Sequence, residues 1–475
     1  MGSGQVTDWQ GKNVTVAGLG VSGIPAAKVL HGLGAKVTVV NDGDDARARE
    51  QAAELEALGV TVRLGDGATL PQGTELIVTA PGWKPDKPLF TAAHAAGVPV
   101  WGDVELAWRL RELDGRKAAP WLCVTGTNGK TTTTQMLASI LKAAGLRTAA
   151  VGNIGVSLLD AVLGEEPYDV LAVELSSYQL HWAPSLRAHS AAVLNLAPDH
   201  LDWHGSMEAY AKDKGRVYEG NQIACVYNVA DKATEDLVRE ADVEEGCRAV
   251  GFTLGAPAPS QLGVVDGILV DRAFVENRQQ NAQELAEVSD VDPPAPHNIA
   301  NALAAAALAR AFGVPAKAVR DGLRAFTPDA HRIAHVADVD GVAYIDDSKA
   351  TNTHAAQASL AAYESIVWIA GGLAKGATFD ELVAKSAKRL RAAVLIGADR
   401  ALIREALARH APEVPVVDLD RTDTGAMLAA VQEARRLAVE GDTVLLAPAC
   451  ASMDMFVNYN QRGDLFAQAV GELGT

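Results

Sequence analysis

Hydrophobic positions along the chain fall into short β-branched runs separated by stretches of helical period, and this alternation recurs in three series. The first opens after Lys12 with NVTVAG, passes through the glycine turn GLGVSG into IPAAKVLHGLG, and returns as AKVTVVND. Strand, turn, helix and strand in that order demand a right-handed parallel crossover. Further strand-like runs at GVTVRLG, TELIVTAPG and GVPVWG complete a small doubly wound domain, expected over residues 1–112. The stretch LDGRKAAP (113–120) has Gly, Pro and no period, and reads as a linker.

The second series predicts strands at WLCVTG, RTAAVG, YDVLAVEL, HSAAVLNL and QIACVYN. It closes on NIANALAAAALARAFG, apolar on most faces and expected to be interior. Between Gly255 and His297 the pattern breaks down, and the polar ENRQQNAQELAEVSDVDPPAP reads as a variable surface excursion. From about His331 a third series runs through GVAYIDD, SIVWIAGG, AAVLIG, VPVVDL and DTVLLAP. No repeat of 20 to 50 residues is visible. The expectation is an α/β protein of three domains, 1–112, 113–328 and 329–475.

Composition changes this picture little. Hydrophobic residues make up 48% and charged residues 21%, the values of a globular chain able to bury large cores. A formal net charge of -17 with no Lys/Arg-rich run argues against nucleic acid as a partner. Small anions remain open, because short-range hydrogen bonds outweigh a screened global field. The cysteines Cys123, Cys225, Cys247 and Cys450 are widely spaced, without a C-x-x-C pair, and read as reduced thiols. MGSGQVTDWQ has neither the basic nor the apolar segment of a signal peptide, and Val6 breaks the myristoylation pattern. No apolar run reaches the ~18 residues of a membrane helix. A cytoplasmic location without membrane insertion is expected.

The chemistry concentrates at the ends of predicted strands. CVTGTNGKTTTT (123–134) lies between a strand and a helix with Met136, Leu137, Ile140 and Leu141 on one face, where a phosphate loop belongs. Val124 stands where the usual loop signature has its first glycine. Gly126 and Gly129 free the backbone to turn N–H groups inward, Lys130 suits phosphate oxygens, and Thr131 can offer its hydroxyl to Mg2+. A polar turn with a solvated lysine is the competing reading. DVLAVELSSYQ delivers Glu174 to a strand end, where a Mg2+-nucleotide site needs a carboxylate. GLGVSG, by contrast, is weak alone, since any tight strand-to-helix turn needs glycines; Asn41 and Asp42 fall near where a ribose-binding acid would lie. NLAPDHLDWHGSMEAYAKDKGRVYEG offers Asp199, His200, Asp202, His204, Lys212 and Lys214 without a deciding spacing. HRIAHV, YIDDSKATNTHAA and APACASMDMFVNYNQRG place polar groups at boundaries and carboxyl ends of the third series, where such folds bind ligands.

TGTNGKTT, NIG, ELSSYQL, DHLD, HN-x-x-N, DDSKATN and PACASMDMF occur in that order across nearly the whole chain, and the chain thereby resembles the ATP-dependent Mur ligases of peptidoglycan synthesis. Within that family GLGVSG, DSKATN and CASMDMF match the member that adds D-glutamate to UDP-N-acetylmuramoyl-L-alanine. The resemblance implies a central P-loop ATPase with a mainly parallel sheet, flanked by Rossmann-like N-terminal and C-terminal domains. It also implies a short phosphate loop opening at Gly126. Gly126, Thr127, Asn128, Gly129, Lys130, Thr131 and Thr132 would hold ATP with Asn298, Asn301, Arg332 and Asp347. Lys130, Glu174, His200 and Lys214 would be catalytic. Thr131, Glu174 and His200 would bind Mg2+, two ions being expected, with Lys214 completing the second site once carbamylated; Lys212 is the alternative.

Val21, Ser22, Asn41 and Asp42 would surround the uridine diphosphate end and Asn153 the sugar-peptide end, with Ser176 a further substrate-binding residue. Lys349, Thr351, Lys375, Ser452, Met453 and Tyr459 would surround D-glutamate. Asn41 and Ala80 replace an acid and a serine found in some relatives. A monomer acting on small molecules is expected. A sister ligase adding another amino acid, or a folate polyglutamylating enzyme, is the alternative.

Overall fold

The computed structural model describes residues 9–328, 330–421 and 423–473. Residues 1–8, on which the signal-peptide and acylation readings rest, and residue 329, where the third domain is expected to start, lie outside the described residues.

Three sheets carry the fold. The first runs β3-β2-β1-β4-β5, all parallel, from β1 (Asn13–Ala17), β2 (Lys36–Asn41), β3 (Thr61–Leu64), β4 (Leu76–Thr79) and β5 (Val100–Gly102). Val14, Val16, Val39, Leu76 and Val78 fill its core. The helix Gly23–Gly32 packs beside it, and a Cβ at Gly23 would collide with the carbonyl oxygen of Gly18. At least one glycine of GLGVSG is therefore fixed by chain packing, whatever the loop binds.

The second sheet contains β6 (Trp121–Thr125), β7 (Thr148–Gly152), β8 (Val170–Glu174), β9 (Ser190–Val193), β10 (Ala224–Asn228), β11 (Arg248–Phe252), β12 (Gln261–Val265), β13 (Ile268–Asp271) and β14 (Gln283–Glu287). Its order is β14-β13-β12-β11-β10-β9-β6-β8-β7. β6 and β8 are buried at every position because helices cover both faces, which explains their unbroken apolar sequence. Ala302 to Ala309, on the helix Pro296–Ala311, are completely buried, as the Ala-rich pattern predicts.

The segment from Gly255 to His297 departs from expectation. It is not a mere excursion: β12, β13 and β14 extend the sheet, with β13 antiparallel to both neighbours. β11 is a further strand that the pattern did not announce. Half-exposed edge strands dilute the apolar run, and the polar residues of 276–282 belong to the connection between β13 and β14.

The third sheet, β15-β16-β20-β17-β18-β19, comprises β15 (Ala334–Val339), β16 (Val342–Asp346), β17 (Ile366–Gly371), β18 (Leu390–Ile396), β19 (Val416–Asp418) and β20 (Thr443–Leu446). β15 is antiparallel to β16; the remaining pairs are parallel.

The described residues up to Val291, with Asn298–Phe326, form one compact unit that holds the first two sheets; Asp292–His297 and the described residues from Thr327 form the second. Among the described residues no helix is long and apolar enough to cross a membrane. The four cysteines form no disulfide, although folding brings the sulfurs of Cys225 and Cys247 to 3.9 Å.

Candidate active site

β6 ends at Thr125, and the chain turns through Gly126 (φ 149°), Thr127, Asn128 and Gly129 (φ 82°) into the helix Lys130–Ala143. Strand, loop and helix N-terminus thus follow as a phosphate site requires. The loop is braced from beneath by a residue that pattern reasoning did not single out. Asn195, after β9, accepts from Asn128 N (2.9 Å), returns a bond to Asn128 O (3.1 Å), and its carbonyl accepts from Thr127 N (3.0 Å). Thr127 Oγ1 also meets Tyr210 Oη at 2.9 Å. Lys130 folds back so that Nζ donates to the carbonyls of Gly126 and Thr127, both at 2.9 Å. Asn301 lies against Gly129 and donates to Asn298 Oδ1 at 3.4 Å, both asparagines being buried. Thr131 and Thr132 sit in the first helical turn.

β8 is hydrogen-bonded next to β6, and so carries Glu174 to the same end of the sheet. Its carboxylate is 1% exposed. Oε1 accepts from Asn153 Nδ2 at 2.8 Å, while Oε2 is buried with no hydrogen-bond partner. A buried carboxylate oxygen left bare costs about 1–3 kcal/mol or more, so its retention needs a reason. Asn153 therefore orients Glu174 here, beside its expected substrate role.

Lys214 is 2% exposed, whereas Lys212, two residues earlier on the helix Met207–Gly215, is exposed. Lys214 Nζ donates to Gly126 O at 2.8 Å and lies 3.5 Å from Thr125 Oγ1, above the Tyr210 ring. Burial, reinforced by the nearby Lys130 ammonium, holds its pKa well below that of an ordinary lysine. His200 caps the helix Leu201–His204 in a left-handed conformation (φ 53°), its ring 4.9 Å from that of Tyr178. Burial lowers its pKa while Asp199 opposes the shift. Among the described residues no three His, Cys, Asp or Glu side chains form a metal cluster by themselves.

In the first sheet, Asn41 braces the glycine loop: Oδ1 accepts from Leu19 N (3.1 Å) and Nδ2 donates to Gly43 O (3.0 Å). Asp42 is paired with Lys87 at 2.6 Å, and Val21 is 92% exposed. Ser22 Oγ donates to Asp103 Oδ2 at 2.9 Å, and Gln179 Nε2 reaches the same oxygen at 3.4 Å. Gln179 also accepts from Ser176 in a capping box. Ser22 and Ser176 are thereby tied together through Asp103, whose pKa is raised by burial.

The second unit gathers its own set. Asp347, Lys349 and Thr351 follow β16, Ser452 and Met453 follow β20, and Lys375 follows β17; these strands are adjacent in the order β16-β20-β17. Tyr459 joins them, its ring 3.8 Å from Lys349 Nζ. Asp347 is buried, bonded by Ser359 Oγ and by Ile333 N (3.3 Å), and burial pushes its pKa up to about 6, with the Arg332 guanidinium acting the other way. Lys375 is exposed at positive φ (49°). Arg462, missed by pattern reasoning, is fully buried and donates to Ser348 Oγ (2.9 Å), Ser348 O (2.7 Å) and Cys450 O (3.1 Å). It clamps the DDSKATN segment to the PACASM segment, and burial brings its pKa down to about 10.

A model of the Mur ligase middle domain matches residues 124–309, and one of the Mur ligase glutamate ligase domain matches residues 331–450. The UDP-N-acetylmuramoylalanine--D-glutamate ligase of Streptomyces coelicolor is 89% identical over 98% of this chain and 99% of its own length. The chain belongs to the Mur ligase family. The Thermobifida fusca Mur ligase of the same name is 58% identical over 98% of this chain and 99% of its own.

Among solved structures, the UDP-N-acetylmuramate-alanine ligase of Thermotoga maritima superimposes with a TM-score of 0.53 at 19% identity, covering 97% of this chain and 99% of that one. A pseudomurein peptide ligase type C from Methanothermus fervidus gives 0.57 at 17%, covering 97% and 100%. At such identities these show a shared Mur ligase fold. A pyridine nucleotide-disulphide oxidoreductase model matches residues 13–75, the part of the first sheet that contains GLGVSG.

Proposed function

We propose that this Mur ligase joins D-glutamate to UDP-N-acetylmuramoyl-L-alanine with conversion of ATP to ADP and phosphate, in the cytoplasm and as a monomer. The carrying observation is Glu174, a buried carboxylate with one bare oxygen at the strand end beside the Gly126–Thr132 loop. The reading divides the labour among residues 1–112 for the UDP substrate, 113–328 for ATP and 329–475 for the amino acid.

The donor set fits Mg2+. Thr131 and Glu174 offer oxygens and His200 a nitrogen, while an unmodified Lys214 offers no oxygen and, when protonated, would repel a cation. Carbamylation resolves this: the amine adds to CO2, loses a proton, and leaves a carbamate whose oxygens can ligate. Mg2+, two ions in this reading, would neutralise charge on the transferred phosphoryl group.

The chemistry follows from what a carboxylate lacks. It cannot release oxide to an incoming amine, so its oxygen first takes the γ-phosphoryl group of ATP and ADP departs. The D-glutamate amine then attacks the acyl carbon, the C–O bond to phosphate breaks, and the amine proton is lost. Backbone N–H groups of 126–132 and the Lys130 ammonium bind the phosphates, with Asn298, Asn301, Arg332 and Asp347 as further ATP contacts. Val21, Ser22, Asn41, Asp42, Asn153 and Ser176 hold the acceptor. Lys349, Thr351, Lys375, Ser452, Met453 and Tyr459 hold the amino acid, lysines facing its carboxylates.

The test is phosphate release from ATP with UDP-N-acetylmuramoyl-L-alanine and a panel of amino acids. D-glutamate should dominate. Higher turnover with L-alanine, lysine or a diamino acid, or with a folate acceptor, overturns the assignment.

A further inference from the structure

Behind the proposed metal ligands lies a hydrogen-bonded chain that the chemistry above does not use. Asp213 Oδ2 accepts from His181 Nδ1 at 2.9 Å and from His204 Nδ1 at 3.0 Å, and Oδ1 accepts from Arg216 Nε at 3.1 Å. With its proton on Nδ1, His204 presents Nε2 as an acceptor to Ser177 Oγ, 2.9 Å away. The His204 side chain is fully buried, and Ser177 and Asp213 are buried with it. Ser, His and Asp in this order copy the geometry of a hydrolytic triad. The serine's burial leaves no substrate access, so a nucleophilic role does not follow.

The significance lies in what the chain connects. Ser177 and His181 bound the helix Ser177–His181, which starts three residues after Glu174. His204 ends the short helix that His200 caps. Asp213 immediately precedes Lys214. One carboxylate thus ties together the three segments that carry Glu174, His200 and Lys214. The stacked rings of Tyr178 and His204, with centroids 5.6 Å apart, reinforce the same junction. Partners behind metal ligands usually fix ligand orientation and are felt as metal affinity.

We propose that Asp213, acting through His204 and His181, is the positioning residue that holds Glu174, His200 and Lys214 in register for carbamylation and metal loading. This rests on the reading of those three residues as metal ligands. Asparagine at 213 keeps the shape but cannot accept from two imidazoles and a guanidinium together, because its nitrogen only donates.

The experiment compares wild type with Asp213→Asn in two readouts. Carbamate on Lys214 is measured by 13C NMR in labelled bicarbonate, and Mg2+ affinity by titration with a non-hydrolysable ATP analogue present. The expected result is lower carbamate occupancy, recovered at raised bicarbonate, and a Mg2+ affinity weakened roughly ten- to hundred-fold, with binding of the UDP substrate unchanged. Ser177→Ala removes only the outer hydroxyl and should shift both readouts less, in the same direction; it decides the matter should Asp213→Asn fail to fold. Wild-type carbamate and Mg2+ affinity in a folded variant overturn the proposal. No carbamate in the wild-type enzyme instead overturns the underlying reading of Lys214.

Discussion

Replacing Gly129 by alanine tests whether the phosphate loop works through its backbone conformation. Gly129 has φ 82°, and a Cβ there would collide with Asn301 Oδ1 while lying 3.2 Å from Asn301 Cγ and 3.3 Å from Leu194 Cδ1. The left-handed conformation costs an alanine about 1–2 kcal/mol. The Asn301 amide must also swing away from Asn298, forfeiting a hydrogen bond worth about 0.5–1.5 kcal/mol. Together about 1.5–3.5 kcal/mol is set against the native loop.

If ATP binds only that loop conformation, its affinity falls by roughly 10- to 400-fold. Calorimetric titration with Mg-ATP measures this directly. Gly145→Ala is the control: its φ is 78°, but nothing lies within 4 Å of the added methyl, and it stands at the far end of the same helix. That variant should lose about 1–2 kcal/mol of stability through backbone strain alone and bind ATP normally. A Gly129→Ala enzyme with wild-type ATP affinity, or a Gly145→Ala enzyme equally impaired, refutes the reasoning.

Lys130→Ala should abolish phosphate release yet leave binding of the UDP substrate intact, since Lys130 Nζ is engaged within the phosphate loop; loss of UDP-substrate binding would contradict the division of roles. Lys214→Ala should be inactive and partly rescued by short carboxylic acids, which supply the missing oxygens, while intact mass of the wild type should show added CO2 that Lys212→Ala retains. Asp347 titrates near 6 in the folded protein against 3.8 for its ordinary value, because it is buried. The folded state therefore binds more protons than the unfolded state between those values, and ionisation removes stability as pH rises through them. Asp347→Asn should accordingly gain on wild type by roughly 2–3 kcal/mol between pH 4 and 7, read from urea unfolding; a difference that stays flat with pH counts against this.

Much of the fold is legible in the sequence because parallel strands covered on both faces must be apolar throughout, so β6, β8 and β17 announce themselves. The edge of the second sheet does not. β12 to β14 are short and partly exposed, and pairing between neighbours stabilises them more than their own pattern does. The phosphate loop and Glu174 were likewise legible, since each follows a strand directly and the chain direction fixes which end of the sheet it reaches.

What required the tertiary structure were choices between equivalent residues and contacts between distant ones. Lys212 and Lys214 lie about 200° apart around one helix, so local sequence says that they face opposite ways but not which faces the site. Packing against Thr125, Gly126 and Tyr210 selects Lys214 for burial. Asp103, Asp213 and Arg462 look like ordinary charged residues in sequence. Only folding surrounds each with donors or acceptors from segments far along the chain, and a buried charge persists only where such partners meet it. Sequence by itself determined the strands, their direction and the loop chemistry at their ends, through local periodicity and covalent order. Tertiary structure decided which charges are buried and what orients them, because burial depends on neighbours that the local pattern does not contain.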